Sequence, residues 1–206
     1  MAHAVAEPAG DGTGGDGTHG PLTVHGRTDG PSMLAVGTVV WLASELMFFS
    51  GLFAAWFSLR STNDIWPPAG VELETVRTAV ATAVLVASSF TMHAGTRAAE
   101  DGRSPSSRRW ILLTAALGTL FLANQGLEYA GLDFSVSSHA YGSMFFLMTG
   151  FHGLHVLAGI GLMLAVLAAT SGRSRMGQSG PVEVTSYYWH FVDVVWVAMF
   201  ATIYLL

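Results

Sequence analysis

Cysteine and lysine are absent from the 206 residues, and charged side chains make up only 11% of them. Without cysteine there is no disulfide, thiolate metal site, iron–sulfur cluster or cysteine nucleophile, which excludes a secreted disulfide scaffold and a zinc finger. The formal net charge of −5 argues against a nucleic-acid binder, because such proteins need basic patches. A soluble domain is about 25% charged, whereas this chain is 51% hydrophobic. The composition is typical of an integral membrane protein.

Residues 1–31 differ in composition from the rest of the chain. They are rich in glycine, aspartate, threonine and proline, and their apolar residues follow no period. We therefore predict a disordered tail. Its histidines could bind a metal ion, but histidines spaced in this way usually belong to a flexible polar segment. The segment lacks the basic start and apolar core of a signal peptide.

Residues 32–206 are predicted to form an all-α bundle of five transmembrane helices. Each helix meets the requirement of about 20 apolar residues for a bilayer core of about 30 Å. The predicted ranges are 33–59, 74–99, 108–130, 138–169 and 184–206. Arg60 and Arg77 fall on one face of the predicted topology, and the other seven of the nine arginines fall on the opposite face. Positive charge marks the cytoplasmic side, so the N-terminus is expected in the cytoplasm and the C-terminus outside.

Ionisable side chains near the middle of these helices are the candidate functional residues, because such groups are costly in a membrane and usually functional. Glu45 lies at the centre of the first helix. It is either a proton-exchanging carboxyl or a carboxyl that is hydrogen-bonded between helices. His152 and His155 on the fourth helix, and His190 and Asp193 on the fifth, lie at the same depth. They are predicted to form an inter-helix polar network in which Asp193 accepts a hydrogen bond from His190.

A metal or haem site is the more specific alternative function for these histidines. Two imidazoles from facing helices, such as His152 and His190, could ligate a haem iron axially. Copper or zinc would need a third convergent ligand, and none is evident from the spacing. Histidines that form hydrogen bonds between helices are the favoured interpretation.

A second group of side chains is predicted to be structural or to lie at an interface: Gln125, Glu128, Tyr129, Trp189 and Trp196. Glu128 closes the third helix beside Tyr129, where a solvated or capped carboxyl is ordinary. Trp56, Trp66 and Trp110 fall near predicted membrane interfaces, as in aromatic belts.

The second helix has one stripe of small residues. Ala79, Ala83, Ala87, Thr91 and Gly95 follow one another at i+4 spacing. Such a pattern lets helix backbones approach closely in lipid.

Four segments closely resemble subunit III of the haem–copper cytochrome c oxidases. HAYGSMFFLMTGFHGLHVLAGIG at 139–161 resembles the family's most characteristic stretch, and VTSYYWHFVDVVWVAMFATIYLL at 184–206 resembles its terminal helix. SELMFFSGLFAAWF at 44–57 is similar to the helix with the family's membrane-embedded glutamate, here Glu45, and FLANQGLEYAG at 121–131 is similar to its QxxEY segment. Longer members have seven spans, so this chain looks like a five-helix bacterial form, and lipid contacts made by the two missing helices are not carried over.

The resemblance implies an accessory subunit of a proton-pumping terminal oxidase in a bacterial plasma membrane. Haem and copper would belong to subunits I and II, with no redox cofactor or metal on this chain. The chain would pack mainly against subunit I, contact subunit II and other oxidase subunits, bind phospholipid and support proton uptake, and a respiratory supercomplex is a further expected partner. Glu45 would stay protonated in a buried inter-helix site. A quinol-oxidase subunit III, an independent proton or solute transporter and a b-type haem protein remain alternatives.

Overall fold

The computed structural model describes residues 33–170 and 179–206, so the predicted tail at 1–31 lies outside the described residues. Every regular element in these ranges is helical. Five helices are long and apolar enough to cross a membrane, which confirms the predicted number. They are α1 (Met33–Thr62), α2 (Thr75–Glu100), α3 (Ser104–Gly131), α4 (Ala140–Ala169) and α5 (Ser179–Phe200), and α5 continues into a π-helical turn (Ala201–Leu205).

Two helices begin earlier than predicted. α3 starts at Ser104 rather than at 108, because a proline sits in its first turn, where the missing backbone N–H would have had no partner in any case. α5 starts at Ser179 rather than at 184. Its first turn includes Pro181, which a first helical turn tolerates for the same reason. Polar and proline residues at these points favour a loop in the sequence, whereas in the structure they form the starts of helices.

α5 packs against α1, α2 and α4, and it is the most buried of the five helices. α3 closes the far side by packing against α2 and α4. Half of the spanning window of α5 is buried, compared with 11% of that of α1. α1 therefore leaves most of its apolar surface free for lipid or for another chain.

Trp189 at the middle of α5 joins three helices. A Cβ atom added to Gly118 on α3 would lie 2.5 Å from the Trp189 ring, and one added to Gly159 on α4 would lie 2.8 Å from it. These two glycines are therefore what allows α3 and α4 to close on the indole. Its Nε1 donates a hydrogen bond to Ser88 Oγ on α2 at 2.9 Å, so the core of the bundle is centred on this side chain.

The small-residue stripe on α2 is largely outside this core. Ala79, Ala83 and Ala87 are exposed within the chain, and only the Gly95 end packs closely, where an added Cβ would lie 3.3 Å from Trp110 Cβ on α3. The helix instead turns a different face inward, the one that carries Ser88. The alanines of the stripe are therefore not used for packing among the described helices, whereas Thr91 and Gly95 at its other end contact α3.

Trp56 also differs from the expectation of an aromatic belt. It is only 1% exposed and packs edge-on against Trp66, with ring centroids 5.1 Å apart. Tyr141 at the start of α4 contacts both rings. These aromatic side chains form a closed cluster, because the loop after α1 folds back over the bundle end.

Candidate functional site

Glu45 on α1 and His155 on α4 form a polar pair between the two helices. Glu45 Oε2 lies 3.2 Å from His155 Nε2, and His155 Nδ1 lies 2.7 Å from the carbonyl oxygen of Phe151. A carbonyl only accepts, so Nδ1 carries a proton and donates it. The contact between Nε2 and Oε2 then needs one proton, located either on a neutral glutamic acid or on an imidazolium.

This pair is partly rather than fully buried, in contrast to the buried carboxyl that was expected. The side chain of Glu45 is 24% exposed and that of His155 is 16% exposed. Beside His155 opens an apolar groove of about 620 Å³, lined by Trp41, Phe151, Leu154, Ala158, Leu162 and Tyr188. The pair thus lies where the protein interior meets a surface suited to acyl chains.

His152 makes a separate contact, although it is only three residues from His155. Its Nε2 lies 3.2 Å from the carbonyl oxygen of Val192 on α5, so Nε2 is the donating nitrogen. The ring is 1% exposed, and its centroid lies 4.9 Å from that of Trp196. Three residues turn a helix by about 300°, which leaves the two histidines about 60° apart and directs them to different neighbours.

His190 and Asp193 are joined through a third residue rather than directly, so the predicted direct hydrogen bond is wrong. Ser89 on α2 donates its hydroxyl proton to Asp193 Oδ2, and Ser89 Oγ lies 3.1 Å from His190 Nδ1. Since the single hydroxyl proton goes to the carboxyl, His190 Nδ1 is the donor in the second bond. A hydroxyl fits here because it donates and accepts at once.

The predicted single polar network is therefore wrong as well. Its members belong to three contacts between different helix pairs: α1 with α4, α4 with α5, and α2 with α5. His152 and His190 have different partners, the carbonyl oxygen of Val192 and the hydroxyl of Ser89, which leaves the haem-ligand alternative without a convergent pair. In the ranges 33–170 and 179–206, no group of three or more histidine, aspartate or glutamate side chains converges as a metal site.

Glu128 is buried, and the expectation of a solvated or capped helix end is wrong. The residue is 2% exposed. Its Oε1 accepts a hydrogen bond from the Tyr204 hydroxyl at 2.8 Å, and its Oε2 accepts one from Thr78 Oγ1 at 3.2 Å. The π-helical turn after α5 brings Tyr204 over the end of α3, and nothing in the local sequence around Glu128 signals this partner.

Tyr129 and Trp196, two of the other structural candidates, also join helices. The Tyr129 hydroxyl lies 2.7 Å from Thr149 Oγ1 on α4, and Trp196 Nε1 donates to Thr82 Oγ1 on α2 at 2.9 Å. Gln125 is 5% exposed, and its amide has no hydrogen-bond partner among the described residues. Ser88, Ser89 and Thr82, all on α2, are the partners that sequence reasoning missed, although a hydroxyl in an apolar helix is a recognisable signal of hydrogen bonds between helices.

The whole of this arrangement lies within residues 19–206, which match the family model described as cytochrome c oxidase subunit III. The chain belongs to this family. A probable cytochrome c oxidase subunit 3 of Nocardia farcinica is 49% identical over 179 residues, covering 84% of this chain and 88% of the relative. One from Mycobacterium tuberculosis is 48% identical with the same coverage of each chain.

A more distant member shows the same relationship over a longer stretch. Cytochrome c oxidase subunit 3 of Synechocystis is 40% identical over 193 residues, which is 92% of this chain and 82% of the relative. The resemblance found in the four sequence segments is thereby confirmed. As a cytochrome c oxidase subunit III, the chain is a multi-pass membrane component of an oxidoreductase complex.

Proposed function

We propose that this protein is the accessory subunit III of a proton-pumping haem–copper terminal oxidase in a bacterial plasma membrane. The observation that carries the proposal is the match to proteins named cytochrome c oxidase subunit 3 over most of both chains. Haem and copper belong to subunits I and II, and this chain contributes no redox centre. The arginine distribution supports an N-terminus in the cytoplasm and a C-terminus outside.

The contribution of the chain is structural support together with control of protons and lipid at its contact with subunit I. The contact between Glu45 and His155 lies beside an open apolar groove. A carboxyl at this position exchanges its proton without leaving an unpaired charge in hydrocarbon, because the imidazole accepts what the carboxyl releases. The groove binds phospholipid acyl chains.

The exposed surface of α1 supports this placement. Most of α1 faces away from the bundle, and several large apolar side chains on it are exposed, including Val40, Leu46 and Met47. Contact with subunit I or with lipid covers such a surface in the membrane. The same contact would place Glu45 near a neighbouring subunit, where it supports proton uptake by the complex.

Purification through an affinity tag on this chain tests the proposal. In a mild detergent we expect haem-bearing and copper-bearing subunits to co-purify, and we expect the preparation to reduce oxygen with cytochrome c as the electron donor. A colourless chain that purifies alone would contradict the proposal. Oxidation of a quinol in place of cytochrome c would identify the complex as a quinol oxidase.

A further inference from the structure

Two cavities lie end to end between α2 and α5. The polar cavity has a volume of about 250 Å³, and its lining includes His93, Arg97, Glu100, Glu183, Tyr187 and His190. The apolar cavity has a volume of about 260 Å³ and is lined by Val86, Ser89, His190, Asp193, Val194 and Val197. His190 lines both cavities, so together they form one continuous groove along the two helices.

The groove follows one face of each helix, and its polarity changes from one end to the other. Its residues on α5 are separated by three or four positions, which keeps them on one face: Glu183, Tyr187, His190, Val194 and Val197. The series on α2 has the same spacing: Val86, Ser89, His93, Arg97 and Glu100. On both helices the charged residues are at one end, the valine at the other, and a histidine in between.

The polar side chains of the apolar cavity are hydrogen-bonded to one another. Ser89 donates to Asp193 Oδ2 and accepts from His190 Nδ1, and Asp193 is only 5% exposed. The exposed wall consists of Val86, Val194 and Val197, which are 37%, 69% and 45% exposed. This cavity therefore offers a hydrocarbon surface to whatever occupies it.

The polar cavity has opposite charges without ionic partners in the described chain. The ion pairs of the described residues are Glu74 with Arg77, Asp101 with Arg103, and Glu45 with His155. Arg97 and Glu100 are exposed and belong to none of these pairs. Glu183 adds a second carboxylate from α5, and its Oε1 accepts a hydrogen bond from Tyr187. A ligand that complements this set carries both an anionic and a cationic group.

The groove has the length of one leaflet of a bilayer. Glu183 and Val197 are 14 positions apart, as are Val86 and Glu100, which corresponds to about 21 Å at a rise of 1.5 Å per residue. Half of a bilayer, measured with its headgroups, is about 20–22 Å thick. α2 ends at Glu100 and the α5 span begins at Ser179, so the charged end lies at headgroup level and the valines lie near mid-membrane.

We infer that this groove is a binding site for one phospholipid with an ammonium headgroup, such as phosphatidylethanolamine. The Arg97 guanidinium binds the phosphate, Glu100 and Glu183 bind the ammonium group, and one acyl chain lies against the valines. Charge-assisted hydrogen bonds of this kind are short and strong. The site is separate from the groove beside His155, and in the orientation of the proposed function it faces the cytoplasmic leaflet.

The charges of the polar cavity select among headgroups. Phosphatidylglycerol is an anion and brings no cation for the two carboxylates. Phosphatidylcholine has a cation, but its quaternary nitrogen has no N–H to donate. The ethanolamine headgroup supplies both the positive charge and three N–H donors, so it satisfies the two carboxylates best.

Photoreactive phospholipids test the site in the purified oxidase. Three lipids would carry the same diazirine near the end of one acyl chain and would differ only in an ethanolamine, choline or glycerol headgroup. Mass spectrometry of the peptides after illumination locates the cross-links. We expect the ethanolamine lipid to label residues 193–197 of α5 several-fold more than either of the other two lipids.

Two substitutions test the headgroup contacts. Arg97→Gln and Glu100→Gln each remove one charge from the polar cavity, and each should lower labelling by the ethanolamine lipid several-fold. Arg103→Gln and Asp101→Asn are the matched controls, because these residues pair with each other at the same end of α2 and lie outside the groove. They should leave the labelling unchanged. All four residues are exposed, so the core of the bundle is not altered.

Three results would overturn the inference. Equal labelling by the three lipids would indicate contact with bulk lipid only, and labelling that survives both Arg97→Gln and Glu100→Gln would exclude the headgroup contacts. No labelling of residues 193–197 by any lipid would mean that another subunit covers the groove. A chain that does not co-purify with other oxidase subunits contradicts the proposed function instead, and labelling of the chain alone then still tests the lipid site.

Discussion

Glu45 Oε2 and His155 Nε2 lie 3.2 Å apart. Because His155 Nδ1 donates its proton to the carbonyl oxygen of Phe151, the hydrogen bond between α1 and α4 requires one further proton. Glu45→Gln tests what that proton does. A glutamine amide donates to Nε2 and preserves the hydrogen bond, but it cannot release its proton. We expect normal assembly with a several-fold shorter turnover lifetime and reduced proton uptake, measured on the purified oxidase.

Glu72→Gln is the matched control, because Glu72 is an exposed carboxyl in the loop before α2. It should leave both measurements unchanged. If pumping, stability and turnover lifetime were all unaltered by Glu45→Gln, the carboxyl would have no role in proton traffic.

Tyr204→Phe should destabilise the bundle. The change removes the hydroxyl that donates to Glu128 Oε1 and leaves a buried carboxyl oxygen without that partner, which costs about 1–3 kcal/mol. Tyr187→Phe removes a hydroxyl that donates to Glu183 at an exposed position, so its effect should stay within about 0.5 kcal/mol. Unfolding of the detergent-purified protein by sodium dodecyl sulfate measures both. Equal stabilities for the two variants would mean that Glu128 finds another partner.

Gly159→Ala should also be destabilising, and for a steric reason. The new methyl group would lie 2.8 Å from the Trp189 ring, and overpacking of this kind costs about 1–3 kcal/mol. Gly161, two residues further along α4, has no atom within 4 Å of an added Cβ. Gly161→Ala should be neutral or stabilising by up to about 1 kcal/mol. The same unfolding assay compares them, and a tolerated Gly159→Ala would show that Trp189 has room to move.

Ser89→Ala should uncouple His190 from Asp193. A double-mutant cycle between the two residues should give a coupling near the average of about 0.6 kcal/mol for hydrogen bonds between membrane helices. The coupling should vanish in a Ser89→Ala background. Ser44→Ala is the control, since the Ser44 hydroxyl bonds only to its own helix, at Val40 O. A coupling that survives the loss of Ser89 would point to a direct interaction.

The five spans could be predicted because bilayer thickness dictates the length of an apolar helix. The depth of the ionisable residues followed from the same count, since a helix advances by a constant rise. The starts of α3 and α5 were placed too late because proline and serine are compatible with both a loop and a first helical turn. Family membership could also be predicted from the sequence, because the segments around Glu45, His152 and Asp193 are distinctive.

The partner of each polar side chain was not predictable in this way. Helical spacing gives a residue's face and depth, but it does not say which neighbouring helix covers that face. Ser89 between His190 and Asp193, and Tyr204 against Glu128, bring together residues that are 76 or more positions apart in the chain.

By itself, therefore, the amino-acid sequence determined that this protein is a five-span membrane protein with two carboxyls and three histidines at mid-depth, because length and apolarity act locally along the chain. Only the tertiary structure decided which of these groups contact each other directly and which are bridged by a hydroxyl. Those outcomes depend on how the helices rotate and pack against one another, and in this bundle that packing depends on a tryptophan seated against two glycines.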